Sequence, residues 1–251
     1  MNKFDGSQEA LPPGRSARDL TSAPAEVRRG FVRKVYSLLL CQLLLTTLVA
    51  AQIYTAGQSR EWLQSHEWLL WVSVGATTAT ICFMVCCKDV CRRYPSNYVF
   101  LFLFTAFEAV MIGFISAMFT WESVLLSAGM TVGVFLCLTL YAFYARTDFT
   151  GSAPYLLCAM ACLCVFGCGI GILQLVFGVQ LRMAVMAYDF LGVLLFSFFI
   201  IFDTQLMLGE WGGHGTSFSV DEYVFASLNL YMDIVNMFVH LLSLLGQRRD
   251  D

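Results

Sequence analysis

The sequence is poor in charge. Lysine, arginine, aspartate and glutamate together make up 13% of its 251 residues, whereas 58% of the residues are hydrophobic. A soluble domain carries about 25% charged residues, so this chain has about half of the charge that keeps a folded surface in water. The composition excludes an ordinary soluble domain and indicates a protein whose solvent is lipid.

Several functional signatures are absent as well. The sequence has no basic run, no zinc-finger spacing and no aromatic signature of RNA-binding domains, so we expect no nucleic-acid partner. The pair His66-Glu67 begins like the helix of a zinc protease, but Leu70 stands where the second histidine is required. That signature is therefore absent. We predict that the protein is not an enzyme and that it has no cofactor.

The first 30 residues contain charges and three prolines, Pro12, Pro13 and Pro24, but no apolar core of the kind found in a signal peptide. We predict that residues 1–30 form a disordered cytosolic tail.

Long apolar segments fill the rest of the chain. A helix needs about 20 apolar residues to cross the hydrocarbon core, and seven segments meet this condition: 34–56, 68–87, 97–119, 122–145, 154–177, 184–208 and 223–245. We predict an all-α membrane protein, a bundle of seven transmembrane helices over residues 31–247, with a short polar C-terminal tail at 248–251. The very short turn between the third and fourth segments predicts that these two helices pack as a tight hairpin.

Lysine and arginine collect on one side of the predicted membrane. The N-terminal side holds Lys3, Arg15, Arg18, Arg28, Arg29, Arg33, Lys34, Lys88, Arg92, Arg93 and Arg146, and the other side holds only Arg60 and Arg182. Since basic loops stay in the cytosol, we predict a cytosolic N-terminus. Seven crossings would put Arg248 and Arg249 on the opposite side, against this rule, whereas a re-entrant last segment would return them to the cytosol. Composition leaves both arrangements open.

Four acids lie inside the apolar segments, and none has a lysine or arginine in its own segment: Glu108, Asp189, Asp203 and Asp233. Ionisable residues at membrane depth are costly and mark functional sites by default. Two carboxyl groups that share a site titrate as a unit, which is the basis of a proton-sensitive switch. Asp189 precedes Asp203 by fourteen residues, about 20 Å along one helix; it lies either at the far mouth of a polar path or at the interface without a role.

The last segment carries a polar stripe. Asn229, Asp233, Asn236 and His240 follow one another at spacings of four, three and four, so they share one face of a helix. Such a stripe faces the bundle interior or a water-filled path. The alternative is that these groups only bind neighbouring helices together through hydrogen bonds. For Asp233 the functional interpretation is favoured, because this binding does not require a carboxylate.

Five motifs resemble the transmembrane Bax inhibitor motif family, in particular its lifeguard branch, which includes the glutamate-receptor-associated member. They are GFVRKVY at 30–36, YPSN at 94–97, TDFT at 147–150, FDTQLMLG at 202–209 and DEYVFASLNLYMDIVN at 221–236. The last two are the longest and most specific, and the resemblance extends over about 28–247.

This resemblance implies a seven-helix fold with the last helix at its centre, and a pH-sensitive leak of calcium. Asp203 and Asp233 match the family's di-aspartyl pair, which acts as proton sensor and gate and contacts calcium transiently. Arg92 or Arg93 is the candidate latch partner. Glu108, Asp189, Asn229, Asn236 and His240 are candidates for a polar pathway. The resemblance also implies endoplasmic reticulum or Golgi membranes and a role against apoptosis; the expected partners are lipids, calcium and membrane proteins that regulate apoptosis or conduct ions.

Two other functions stay open at the level of sequence. The chain could be a non-conducting regulator of other channels or receptors. It could also be an intramembrane hydrolase that uses Asp203 and Asp233. Tyr188-Asp189 resembles one half of the signature of intramembrane aspartyl proteases, but the other half, Gly-x-Gly-Asp, is missing.

Overall fold

The computed structural model describes residues 25–57, 60–86, 95–145, 147–178, 181–208 and 222–249. These residues form eight α-helices, which we number in chain order. They are α1 (Ala25–Ala56), α2 (Arg60–Ser65), α3 (Glu67–Cys86), α4 (Ser96–Ala117), α5 (Trp121–Tyr144), α6 (Ala153–Phe177), α7 (Arg182–Leu208) and α8 (Tyr223–Leu245). A 3-10 turn, Thr150–Ser152, precedes α6. No strand occurs within these ranges, where the extended structure is one isolated bridge between Phe119 and Arg248.

Six helices, all but α2 and α3, are long and apolar enough to cross a membrane. In α3 the described apolar part is Glu67–Phe83, which is shorter. The prediction of an all-α membrane protein is confirmed. The helix bounds agree with the predicted segments to within a few residues, except that α1 begins at Ala25, nine residues before the predicted segment.

The described bundle has two ends. At one end, the beginnings of α4 and α8 meet α1: the hydroxyl groups of Tyr98 and Tyr223 are 3.3 Å apart, and Nζ of Lys34 lies 4.9 Å from the centre of the Tyr223 ring. At the other end, Nη1 of Arg249 donates to the carbonyl oxygens of Gly57 (3.4 Å) and Ala117 (3.2 Å). Helix α8 therefore runs from one end of the bundle to the other and does not turn back, so Arg248 and Arg249 lie opposite the beginning of α1.

Helix α8 is the most enclosed element. It packs against α1, α4, α5 and α7, and thirteen of its 23 residues are buried. Helix α6 packs mainly against α7 and has only two buried residues, Leu163 and Ile170.

The hairpin predicted from the short connection between α4 and α5 is wrong. The connection is short, since α4 ends at Ala117 and α5 begins at Trp121. The helices nevertheless diverge: α4 packs mainly against α1 and α3, whereas α5 packs mainly against α7 and α8, and α8 is the one neighbour that they share among these. A groove of about 480 Å³ lies between α1 and α5, with Leu43, Ala50 and Leu125 in its walls. A short loop fixes where two helix ends meet but leaves their directions to the neighbours that bury them.

Candidate functional site

Asp203 and Asp233 meet across the contact between α7 and α8. Asp203 lies near the end of α7 and Asp233 near the middle of α8, and they are only 5% and 6% exposed. Their carboxyl groups are in hydrogen-bonding contact with each other. Because a carboxylate can only accept, this hydrogen bond needs a proton on one of the two groups. The pair thus has the geometry of two acids that share a proton.

The two acids face a cavity of about 390 Å³. Two amide side chains of α8 line it with them: Asn229, which is exposed at its edge, and Asn236, whose Nδ2 donates to the carbonyl oxygen of Met232. The other walls are apolar. Three of the four residues of the predicted polar stripe therefore share one cavity with Asp203.

The segment between α5 and α6 holds the end of α7 that carries Asp203. The side chain of Gln205 is completely buried; its Oε1 accepts from the backbone N–H of Phe149 (2.8 Å) and its Nε2 donates to the carbonyl oxygen of Thr147 (2.9 Å). Asp148 in turn accepts from the backbone N–H and the hydroxyl group of Thr150. Two segments far apart in the sequence, 147–150 and 202–208, are thus joined by hydrogen bonds that limit how the Asp203 backbone moves.

The fourth residue of the stripe, His240, belongs to a separate polar cluster near the other end of the α7–α8 contact. Its Nδ1 lies 2.9 Å from Oδ1 of Asp189, and the hydroxyl group of Ser243 donates to Oδ2 of the same carboxylate. The imidazole ring lies directly against Gly192, where an added Cβ atom would be 2.5 Å from Nε2. Asp189 is 4% exposed, so its carboxylate is enclosed by protein side chains, and its place at the far mouth of a polar path stays a prediction.

Glu108 lies elsewhere. It is 3% exposed on α4 and does not line the cavity. Around it, Gln42 donates to Thr105, and the hydroxyl groups of Thr46 and Tyr231 are 2.7 Å apart. Within the described residues, Oε2 of Glu108 has no hydrogen-bond partner. The structure separates Glu108 from the other candidates of the predicted pathway.

The candidate latch residues Arg92 and Arg93 lie outside the described residues. In the part of the chain that the structure describes, no three or more His, Cys, Asp or Glu side chains are grouped so that they could hold a metal ion. Calcium contact at Asp203 and Asp233 stays a prediction.

Three residues that contact Asp189 or His240, namely Ser243, Gly192 and Phe196, were not identified from the sequence. Ser243 follows His240 by three residues and so continues the stripe, a signal that was available. Gly192 and Phe196 carry no such signal, because their importance depends on His240 from another helix: its ring lies on Gly192 and is stacked on Phe196 with centroids 5.7 Å apart.

Comparison with known proteins identifies relatives over nearly the whole chain. The family model described as "Inhibitor of apoptosis-promoting Bax1" matches residues 28–250. Human protein lifeguard 3 is 30% identical over 232 residues, which are 89% of this chain and 70% of the relative. Bax inhibitor 1 of Schizosaccharomyces pombe is 31% identical over 250 residues, which are 100% of this chain and 88% of the relative. Mouse protein lifeguard 3 is 28% identical over 232 residues, 89% of this chain and 71% of the relative. The resemblance predicted from the five motifs is confirmed.

Proposed function

The chain belongs to the family of inhibitors of apoptosis-promoting Bax1, and on this premise we propose that it is a pH-sensitive calcium leak channel of intracellular membranes. Its gate is the pair of Asp203 and Asp233. Its cellular role is to restrain apoptosis through calcium homeostasis, in line with the names of its relatives, Bax inhibitor 1 and protein lifeguard 3.

The observation that carries this proposal is the contact between two buried carboxyl groups on neighbouring helices. Asp203 and Asp233 are in hydrogen-bonding contact at the edge of one cavity. Interacting acids titrate as a pair, so the net charge of this site changes with pH. Each change alters both the repulsion between α7 and α8 at this level and the attraction of the cavity for cations. The pair can therefore couple proton binding to the helix contact that closes the path.

The ligands at the site suit passage of calcium better than storage. Carboxylate and amide oxygens are the hard ligands that Ca²⁺ prefers, but a tight site supplies about six to eight of them. The cavity has two carboxyl groups and the amides of Asn229 and Asn236. A conducting site has to bind its ion weakly enough to release it, and a small set of oxygen atoms meets this condition.

The proposal includes a topology of seven crossings with α8 at the centre. The protein lies in endoplasmic reticulum or Golgi membranes, with its N-terminus on the cytosolic side. The seventh crossing is assigned to α3, and it is supported by the end of α1 and the beginning of α4, which lie at opposite ends of the bundle. The central place of α8 is supported by its packing against four helices. The cytosolic N-terminus is supported by the asymmetry of lysine and arginine.

The test is calcium flux into liposomes that contain the purified protein, measured over a range of pH. We expect the wild type to leak calcium with a pH-dependent rate. In the double variant Asp203→Asn, Asp233→Asn the site has no titratable group, so its flux should not vary with pH. The variant Glu122→Gln, which removes an exposed carboxylate at the beginning of α5, is the matched control and should keep the wild-type profile.

Two outcomes would replace the proposal by another function. Absence of flux in the wild type would favour the non-conducting regulator, whose partners are other membrane proteins. Cleavage of a membrane-embedded peptide that stops in the Asp203→Asn variant would favour the intramembrane hydrolase. A leak with an unchanged pH profile in the double variant would remove the gating role from the two acids.

A further inference from the structure

One face of α7 carries two acids with an aromatic ring halfway between them. Asp189, Phe196 and Asp203 are spaced by seven residues, which is two turns or about 10 Å for each interval. All three are buried, and all three point toward α8, because each makes a contact with it: Asp189 with His240, Phe196 with His240, and Asp203 with Asp233. The α7–α8 contact is thus polar at two levels and apolar at the level between them.

Phe196 touches both polar levels. Its side chain lines the cavity of Asp203 and Asp233. On its other side the ring is stacked on the imidazole of His240, with a centroid distance of 5.7 Å and an interplanar angle of 27°. Phe196 therefore lies between the di-aspartyl cavity and the cluster of Asp189, His240 and Ser243.

The neighbours of Phe196 make this level dry. It belongs to a buried apolar cluster with Ile200 of α7 and with Met237 and Leu241 of α8. Phe196 is 6% exposed, and Ile200 and Met237 are completely buried. A constriction lined by such side chains excludes water and stops hydrated ions without any charged group. If the Phe196 ring moved or were removed, water could connect the di-aspartyl cavity with the cluster of Asp189, His240 and Ser243.

We propose that Phe196 is the barrier of the cation path, and that Asp189, His240 and Ser243 form a second polar station on the far side of it. The ligand of this station is the cation that passes from the di-aspartyl cavity. The path runs along the α7–α8 contact, and the gating acid Asp203 acts on the barrier from two turns of α7 away. The inference rests on the proposed function for the identity of the ion, but the position of the barrier is a separate claim with its own readout.

The experiment compares Phe196→Ala and the milder Phe196→Leu with Phe198→Ala in full-length protein. Phe198 is on the same helix but is 49% exposed on the outside of the bundle, so it is the matched control. Two quantities are measured in liposomes: calcium flux, and the rate at which diethyl pyrocarbonate modifies His240, determined by mass spectrometry of the peptides. His66, which lies between α2 and α3 and stacks on Trp62, is the internal reference for reagent activity.

We expect several-fold faster flux and several-fold faster modification of His240 in Phe196→Ala, intermediate values in Phe196→Leu, and wild-type values in Phe198→Ala. If His240 is modified faster in the Phe196 variants but no sample conducts calcium, the barrier at Phe196 is supported and the proposed calcium leak is contradicted. A wild-type leak that is unchanged in both Phe196 variants, with His240 as protected as in the control, would overturn the barrier and leave the leak function intact. The Leu variant keeps the test valid if the Ala variant does not fold.

Discussion

Helices α6 and α8 are both long enough to cross a membrane, yet they have opposite relations to the rest of the molecule. Helix α6 is almost entirely apolar and exposes nearly all of its surface, including Cys158, Cys162, Cys164 and Cys168. Helix α8 carries Asn229, Asp233, Asn236, His240 and Ser243 and has more than half of its residues buried. In a soluble protein the more polar helix would be the exposed one.

The difference shows which solvent this protein folds in. Hydrocarbon cannot hydrogen-bond to polar side chains, so these groups are driven to the interior, where other helices supply partners. An apolar helix gains little by leaving lipid that is as apolar as its own side chains. Polar side chains therefore mark the buried faces here, and α8 is enclosed because it carries so many of them.

The largest expected effect comes from truncating the centre of the buried helix. Tyr231 of α8 is completely buried, bonded to Thr46 and in edge contact with Phe104. Tyr231→Ala should lower the free energy of unfolding by about 3–5 kcal/mol, because it leaves a large cavity. Leu175→Ala on α6, where the side chain is 87% exposed, should change it by less than about 0.5 kcal/mol. Thermal unfolding in detergent measures both, and equal losses would contradict the contrast between the two helices.

One glycine at the buried surface of α8 and one on the exposed helix α6 sharpen the comparison. Gly192 of α7 lies under His240 of α8, and Gly171 of α6 has nothing within 4 Å of an added Cβ atom. Gly192→Ala should cost about 1–3 kcal/mol, since the ring has to move in a packed interior. Gly171→Ala should be neutral or stabilise by up to about 1 kcal/mol, because alanine is the better helix former. The midpoints of thermal unfolding should therefore shift in opposite directions or differ clearly; a matching decrease in both variants would argue against close packing at Gly192.

The smallest effect on the free energy of unfolding is expected from the removal of a single side-chain hydrogen bond. Ser243 of α8 donates to Oδ2 of Asp189, so Ser243→Ala should destabilise by about 1 kcal/mol through the loss of one bond to a buried acceptor. Cys162→Ala on the exposed face of α6 is the control, with an expected change near zero. The measurement is again the unfolding midpoint in detergent. If the double variant Ser243→Ala, Asp189→Asn loses the sum of the two single effects, the two side chains are not coupled.

Much of the fold and part of the site follow from the sequence alone. Apolar runs of about 20 residues have one low-energy state in lipid, a helix with all backbone groups bonded within itself. For this reason the helix bounds and the membrane class could be predicted. Helical periodicity also placed Asn229, Asp233 and Asn236 on one face, and the structure puts them in one cavity with Asp203. Family motifs then singled out Asp203 and Asp233 as the pair.

Tertiary structure decided which faces meet. Periodicity orients residues around their own helix but contains no information on the helix opposite, so the sequence could not assign His240 to Asp189 or show that Glu108 lies outside the cavity of Asp203 and Asp233. The divergence of α4 and α5 and the complete crossing of α8 depend on contacts between residues far apart in the chain. The role proposed for Phe196 depends on tertiary structure in the same way, because a phenylalanine can act as a barrier only where two helices place polar groups on both of its sides.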